Sequence, residues 1–343
     1  MQKTTFGKTG LLVGRTGFGC IPIQRISFDE STALLQHAYE NGVTLFDTAN
    51  AYTTSEQRIG IALSHVRDKI VICTKTGAST AEKVMENIEN SLRMLQTDYI
   101  DVLQMHNPPI VPRPGEDGIY ETLLKAREQG KIRHIGISFH SKDKAREAVI
   151  SGLYDTLQYP LSYLSIREEL DLIETCREHN VGLLAMKGLC GGLLTNTKAA
   201  FAFLRQYENV IPIWGIQKMS ELQEFLSYEN NPPTMDSTLQ NAIETDKAEL
   251  SGNFCRCCGY CMPCTVGIQI PNAARISFLL GRAVKEHFLT EEWQNNMHLI
   301  DNCTNCGHCK HHCPYKLDIP ALLKDQKEKY FRILSAETAG ANT

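Results

Sequence analysis

Nine of the thirteen cysteines lie between residues 255 and 313. The later group reads Cys303-Thr304-Asn305-Cys306-Gly307-His308-Cys309-Lys310-His311-His312-Cys313-Pro314. This is the spacing C-x2-C-x2-C-x3-C-P, in which three close thiolates wrap one corner of an iron–sulfur cubane. The remote thiolate reaches a second cluster where two are present. Zinc is the rival ligand, but its all-cysteine sites use two separated pairs rather than a triple. The earlier group, Cys255-Arg256-Cys257-Cys258-Gly259-Tyr260-Cys261-Met262-Pro263-Cys264-Thr265, reads as a second copy of the first. Cys258-Gly259-Tyr260-Cys261 aligns with Cys306-Gly307-His308-Cys309, and Cys264 through Pro271 aligns with Cys313 through Pro320. Cys255, Cys258, Cys261 and Cys264 thus pair with Cys303, Cys306, Cys309 and Cys313, enough for two 4Fe-4S clusters. The first copy is one residue shorter before its last cysteine. Cys257 has no counterpart and is either a spare thiol or an alternative ligand.

A second set of reactive side chains stands just beyond short apolar runs. Asp47 follows Val43–Phe46, with Tyr52 in the loop after it; Lys75 follows Ile70–Thr74; His106 follows Ile100–Met105. Ser138 ends a fifth run, Gln158 a sixth, and Met186 and Lys187 a seventh. Such a set supports proton transfer to a carbonyl oxygen. A tyrosine hydroxyl ionises near pH ~10, and an ammonium beside it favours the phenolate. Lys75 would supply that charge and Asp47 would hold Lys75. His106 would orient the substrate oxygen, leaving Tyr52 as general acid in reduction and base in reverse. Any one of these residues alone reads as a solvated loop residue; together at consecutive strand ends they do not.

The elements that must position them alternate along the chain. Strands are predicted at Gly17–Cys20, Val43–Phe46, Ile70–Thr74, Ile100–Met105, His134–Ser138, Thr156–Tyr159, Gly182–Met186 and Val210–Trp214. They are short and apolar at successive positions, as parallel strands covered on both faces are. Between them runs helical period, with Val84, Ile88, Leu92 and Leu95 on one stripe and stops at Gly42, Gly130 and Asn180. Eight such units predict an α/β fold, a (β/α)8 TIM barrel, preceded by an N-terminal hairpin around Gly7 and Gly10. A doubly wound open sheet is the competing arrangement, and no Gly-x-Gly-x-x-Gly follows the first strand to support its nucleotide-binding form. The barrel is expected over residues 1–230. Asn230-Asn231-Pro232-Pro233-Thr234 reads as a linker. A small, mainly α, ferredoxin-like iron–sulfur domain is expected over 238–343, its two copies separated by a helical insertion with Leu279, Leu280 and Ala283 in its core.

Composition narrows the classes. The net charge of −4 over 343 residues offers no basic face for nucleic acid. No apolar run nears the ~20 residues of a membrane helix. Met1 to Thr5 lacks the apolar core of a signal peptide, so a cytoplasmic location is expected. There, clustered cysteines read as metal ligands rather than disulfides.

The first 228 residues resemble the aldo-keto reductases. The resemblance rests on Phe6-Gly7-Lys8-Thr9-Gly10-Leu11, on Asn41 through Ala49, and on Tyr52 with Ser55-Glu56. It continues through Thr74-Lys75, Ser91-Leu92, Tyr99-Ile100-Asp101 with His106, Gly130-Lys131-Ile132-Arg133 and Gly136-Ile137-Ser138. The family's Asp, Tyr, Lys and His tetrad falls on Asp47, Tyr52, Lys75 and His106. The resemblance implies a barrel with an extended NADPH or NADH across its strand ends and hydride transfer to a carbonyl. With the cysteine-rich tail, the whole chain resembles the subgroup of that family carrying a ferredoxin-like domain.

Several positions depart from the family. Phe139 replaces the asparagine that helps hold the nicotinamide carboxamide, leaving Ser138 and Gln158. Met186 and Lys187 stand where a stacking tyrosine is usual; a thioether still packs on an aromatic ring. Ile213-Trp214 replaces the usual base for a 2′-phosphate, with Lys218 as substitute. Gly188, Gly191 and Gly192 would let backbone amides approach a pyrophosphate, although such glycines also serve as plain turns. The leading expectation is therefore an NAD(P)H-linked oxidoreductase acting on a small carbonyl or alcohol. The alternatives are an iron–sulfur electron-transfer protein working with a ferredoxin or flavoprotein partner, and a nucleotide-holding subunit without turnover. A nicotinamide gives two electrons together while each cluster takes one, and no flavin motif bridges them. Three roles for the clusters stay open: structural, serving such a partner, or acting on substrate by an unassigned route.

Overall fold

The computed structural model describes residues 1–250, 254–282 and 285–340. The chain forms two compact units, Met1–Gly188 with Lys198–Asp236, and Leu189–Thr197 with Ser237–Thr343.

The first unit opens with an antiparallel hairpin, β1 (Lys3–Thr5) on β2 (Leu12–Gly14), with Lys3 opposite Gly14. Its turn brings backbone against backbone: a Cβ on Gly7, where φ is +55°, would lie 2.2 Å from the Gly182 nitrogen. Only glycine fits there. Phe6 and Val13 are thereby buried among Leu45, Val71, Val102 and Ile211.

Eight strands follow among the described residues: β3 (Gly17–Gly19), β4 (Leu45–Asp47), β5 (Val71–Thr76), β6 (Ile100–His106), β7 (Ile132–Ser138), β8 (Thr156–Pro160), β9 (Gly182–Met186) and β10 (Val210–Gly215). All neighbours are parallel and β10 closes on β3, with Trp214 opposite Phe18. The fold is the expected (β/α)8 barrel, and the open sheet is set aside by that closure. Two strands run further than their apolar cores. Asp47 belongs to the β4 ladder opposite Cys73, and His106 to β6 opposite Ser138. Backbone pairing carries the polar residue into the ladder because the neighbouring strand offers it hydrogen bonds.

The barrel helices are α1 (Phe28–Glu40), α2 (Ser55–Leu63), α3 (Ala81–Leu95), α4 (Ile119–Glu128), α5 (Lys142–Ile150), α6 (Arg167–Glu178), α7 (Thr197–Arg205) and α8 (Met219–Asn230). Local chemistry starts and stops them. Ser27 and Glu30 form a reciprocal capping box on α1, and left-handed Gly42, Gly130 and Asn180 follow the ends of α1, α4 and α6. On α3 the buried face is Val84, Ile88, Ser91 and Leu95. Ser91 takes the place expected for Leu92, because its small side chain fits beside Asn50.

The second unit is helical: α9 (Ser237–Glu249), α10 (Ile270–Ala273), α11 (Ile276–Arg282), α12 (Glu291–His298), α13 (His308–His311) and α14 (Ile319–Gly340). Ile270, Ile276, Leu279, Leu280, Met297 and Leu323 are buried in it; Ala283 lies outside the described residues. The Ser277 amide and hydroxyl both donate to Gln326 Oε1, at 3.0 and 2.8 Å, and tie α11 to α14. Two arginines hold Leu189–Thr197 in this unit. Arg275 donates to the Cys190 carbonyl and Arg282 to that of Leu193, each at 3.1 Å. This contact is non-local and has no motif. Among the described residues, no helix is long and apolar enough to cross a membrane.

Candidate functional site

The strand ends converge on one buried ion pair. Lys75, on β5, is 1% exposed, and its Nζ donates to both Asp47 oxygens, at 2.8 Å (Oδ1) and 2.7 Å (Oδ2). A third bond, 2.6 Å, goes to the Thr48 carbonyl. All three ammonium hydrogens are thereby used. The loop after β4 is pinned to β5: Thr48 N–H donates to the Cys73 carbonyl and Asn50 N–H to that of Lys75. Tyr52 N–H donates back to Ala49. This fold of the loop sets the Tyr52 ring with its centroid 5.4 Å from Lys75 Nζ. His106, at the end of β6, meets that ring edge-on, with centroids 6.0 Å apart. The four residues singled out from the sequence thus form one cluster.

Their protonation follows from burial and neighbours. Burial would lower the Lys75 pKa, but the Asp47 carboxylate outweighs it and holds the ammonium above its ordinary value. Burial pushes Asp47 upward against Lys75 and two amide donors; with that many donors on it we regard the pair as ionised. Tyr52 differs from expectation. Burial raises its hydroxyl and prevails over the downward pull of Lys75, so it is a neutral phenol. Burial, then the charges of Lys75 and Lys187, depress His106 to about 3, which leaves a neutral imidazole near pH 7.

Sequence reading missed Gln104. Its Nε2 donates to Asp47 Oδ1 at 3.2 Å, and Gln158 Nε2 donates to Oδ2 at the same distance. The available signal was a polar residue inside an otherwise mostly apolar strand, two before His106 and so on the same face. Glu56 is also buried and accepts the Thr74 hydroxyl at 2.5 Å.

The other strand-end residues are more dispersed in role. The Ser138 hydroxyl donates to the Met105 carbonyl and accepts the Asn107 amide, both at 3.2 Å. Phe139 is fully buried. Gln158 Oε1 has no hydrogen-bond partner although buried. Met186 ends β9, and Lys187 follows in a left-handed conformation. A Cβ at Gly188 would meet the Trp214 ring at 2.6 Å, so ring packing accounts for that glycine. Gly191 and Gly192 belong to the second unit, where a Cβ on Gly191 would sit 3.0 Å from Arg275 Nη1. Lys218 is exposed at the start of α8.

In the second unit one cavity is lined by Cys303, Cys306 and Cys309 together with Cys264 and Cys261. The triple of one copy therefore shares a cavity with the last cysteine of the other. Cys313, the last cysteine of its own copy, does not line it. The Thr265 hydroxyl lies 4.0 Å from Cys306 Sγ, a second link between copies. Burial pushes Cys255 up to about 11 and Cys261 up to about 12. Such thiols ionise only against a compensating cation. Cys306 is exposed, and the Cys257 amide points at Cys255 Sγ at 3.4 Å. Among the described residues, no three His, Cys, Asp or Glu side chains are placed to hold a single metal ion.

Comparison with known proteins agrees with this two-part description. Residues 11–202 match the profile of the aldo/keto reductase family, and residues 254–318 that of a 4Fe-4S dicluster domain. The aldo-keto reductase YhdN of Bacillus subtilis is 31% identical over 215 residues, 57% of this chain and 64% of that protein. The chain thus matches just under two thirds of YhdN. The uncharacterized oxidoreductase YrpG of the same organism is 30% identical, over 57% of this chain and 68% of its own length. Among solved structures, a putative aldo-keto reductase from Pseudomonas aeruginosa superposes with a TM-score of 0.59 at 26% identity, over 66% of this chain and 92% of that one. An aldo-keto reductase from Klebsiella pneumoniae in complex with NADPH shares the fold, with a TM-score of 0.62 at 22% identity, over 71% of this chain and 95% of that one.

Proposed function

This chain belongs to the aldo/keto reductase family, and from that premise we propose that it reduces a small carbonyl compound with Tyr52 as proton donor. The observation that carries the reading is the single cluster of Asp47, Lys75, Tyr52 and His106. Bound NADPH or NADH would supply the hydride. Everything else falls to the chain's own side chains. Tyr52, neutral and half-buried, gives its proton to the substrate oxygen as negative charge develops there. The Lys75 ammonium stabilises the phenolate left behind. Asp47 keeps that ammonium in place. Neutral His106 hydrogen-bonds the same oxygen and orients it.

The residues also fit a nicotinamide. Gln158 Oε1 is a buried acceptor without a partner, and a carboxamide N–H would satisfy it. Ser138 closes the adjoining wall, and Met186 and Lys187 border the same strand ends. Lys218, exposed before α8, is the candidate for a 2′-phosphate, while Glu221 already accepts the Gln217 and Lys218 amides there, so NADPH and NADH both stay open.

In the second unit we assign two 4Fe-4S clusters with exchanged ligands: Cys303, Cys306 and Cys309 with Cys264, and Cys255, Cys258 and Cys261 with Cys313. The shared cavity supports the first set, and the remote-cysteine rule extends it to the second. Exposure of Cys306 favours the further reading that the first cluster exchanges single electrons with a ferredoxin or flavoprotein.

The test is anaerobic purification followed by nucleotide and metal measurements. About eight irons and eight sulfides per chain are expected, with NADPH oxidation in the presence of 4-nitrobenzaldehyde. Zinc without sulfide removes the cluster assignment. Absence of nucleotide binding by calorimetry removes the reductase assignment.

A further inference from the structure

We propose that Gln104 is a positioning residue: with Gln158 it fixes the Asp47 carboxylate inside the barrel and so sets the Lys75 ammonium beside Tyr52. The proposal rests on the Tyr52 reading and names a residue that reading does not contain.

Donor arithmetic is the first argument. An ionised carboxylate offers about four lone-pair sites. Lys75 fills one on each Asp47 oxygen, Gln104 fills a second on Oδ1 and Gln158 a second on Oδ2. Asp47 is 5% exposed, so water has little access to replace a missing donor. Loss of either amide leaves part of the charge uncompensated in a dry site.

The second argument is what the fold gives up. A carboxylate can be met only by the amide nitrogen, so the orientation of both glutamines is set. Gln104 then keeps a buried Oε1 without a hydrogen-bond partner, and unlike that of Gln158 it has no proposed ligand to meet. Buried polar atoms are rarely left so, and an exception calls for a reason. An apolar side chain of similar size at 104 would fill the place without that cost. The amide contacts to Asp47 supply the reason.

Register is the third. Gln104 lies opposite Lys75 on β5 and opposite Gly136 on β7. A Cβ at residue 136 would come within 2.8 Å of Gln104 Cγ and 2.3 Å of Thr156 Oγ1. Glycine there leaves room for the glutamine to lie across the barrel toward Asp47. The ionisable groups facing Asp47 are Lys75, Tyr52, Cys20 and Cys73, with His106, Glu56 and Lys187 beyond them around Lys75.

The test uses the cluster-loaded protein with NADPH and 4-nitrobenzaldehyde. In Gln104→Leu, kcat is expected to fall about tenfold, the value of one hydrogen bond to a charged group, with KM for NADPH within about twofold. The alkaline limb of kcat/KM should move to higher pH, because an Asp47 charge with one donor fewer opposes the Tyr52 phenolate more strongly. Gln104→Glu separates this from packing. When protonated, the introduced carboxyl still donates to Asp47; when ionised it repels it, and two adjacent carboxylates share one proton. That variant should work near the parent rate at low pH and lose activity as pH rises through a limb the parent lacks. A readout independent of turnover is the tyrosinate absorbance assigned by subtracting the Tyr52→Phe titration; Gln104→Leu should shift it upward. Parent-like rate and tyrosinate titration in Gln104→Leu, or identical pH profiles in the Leu and Glu variants, overturn the proposal. Full activity in Tyr52→Phe overturns the underlying reading instead.

Discussion

The Lys75 ammonium stands 2.7 Å from Asp47 Oδ2 and 5.4 Å from the centroid of the Tyr52 ring. One charge thus serves two neighbours. Asp47 holds it by direct hydrogen bonds, while Tyr52 feels it through space. Because burial still keeps the tyrosine protonated, the cluster is set for proton donation rather than abstraction.

Tyr52→Phe removes the transferable proton and leaves the ring in place. Turnover should fall by about 10²–10⁴-fold, the usual worth of a general acid. Iron and sulfide content should match the parent, since no proposed cluster ligand lies in the barrel. Retained turnover would take Tyr52 out of its role.

Lys75→Met strands the Asp47 carboxylate with only two amide donors. Breaking a buried pair by removing one partner costs about 3–5 kcal/mol, to be read from chemical denaturation. The double variant Lys75→Met with Asp47→Leu should recover part of this loss, because no charge of the pair is then left buried while the Gln104 and Gln158 amides lose their acceptor.

Acid stability should depend on His106. Its folded-state pKa, about 3, lies below the ordinary value of 6.5. Between those values the unfolded chain binds a proton that the folded chain refuses. Stability is therefore lost as pH falls below about 6.5, at up to about 1.4 kcal/mol per pH unit from this group. His106→Gln should flatten that part of the stability profile; an unchanged slope would place the proton elsewhere.

Exchanged cluster ligation can be separated from ligation within one copy. A variant with Cys303, Cys306 and Cys309 all changed to alanine should keep about four irons. Adding Cys313→Ala should lower that remaining iron, whereas adding Cys264→Ala should not. The reverse result would show each copy holding its own cluster.

Much of the site was legible in the chain itself. The eight candidate ligand thiols declare themselves by spacing, and the tetrad by its place after apolar runs. Both are local signals, confined to a dozen residues or fewer. Tyr52 shows their limit: an ammonium nearby predicts a lowered pKa, but the depth of burial, unknown from sequence, reverses the direction. The limit recurs at Gly188, whose missing side chain reads as a phosphate approach until Trp214 is seen packed against it.

By itself, the sequence determined the alternating strand and helix pattern, the helix caps, the two copies of the cysteine motif and the identity of the reactive side chains. Tertiary structure alone decided how distant parts meet. It turned the amides of Gln104 and Gln158, 57 and 111 residues from Asp47, onto one carboxylate. It put Cys264 in the cavity of the other copy's triple, and through Arg275 and Arg282 it drew Leu189–Thr197 into the second unit. The physical reason is the same in each case. Periodicity and spacing act over a few residues, whereas a buried charge, a cluster cavity and an orphan carbonyl are satisfied by whichever groups the closed register of the barrel or the packing of helices brings within reach.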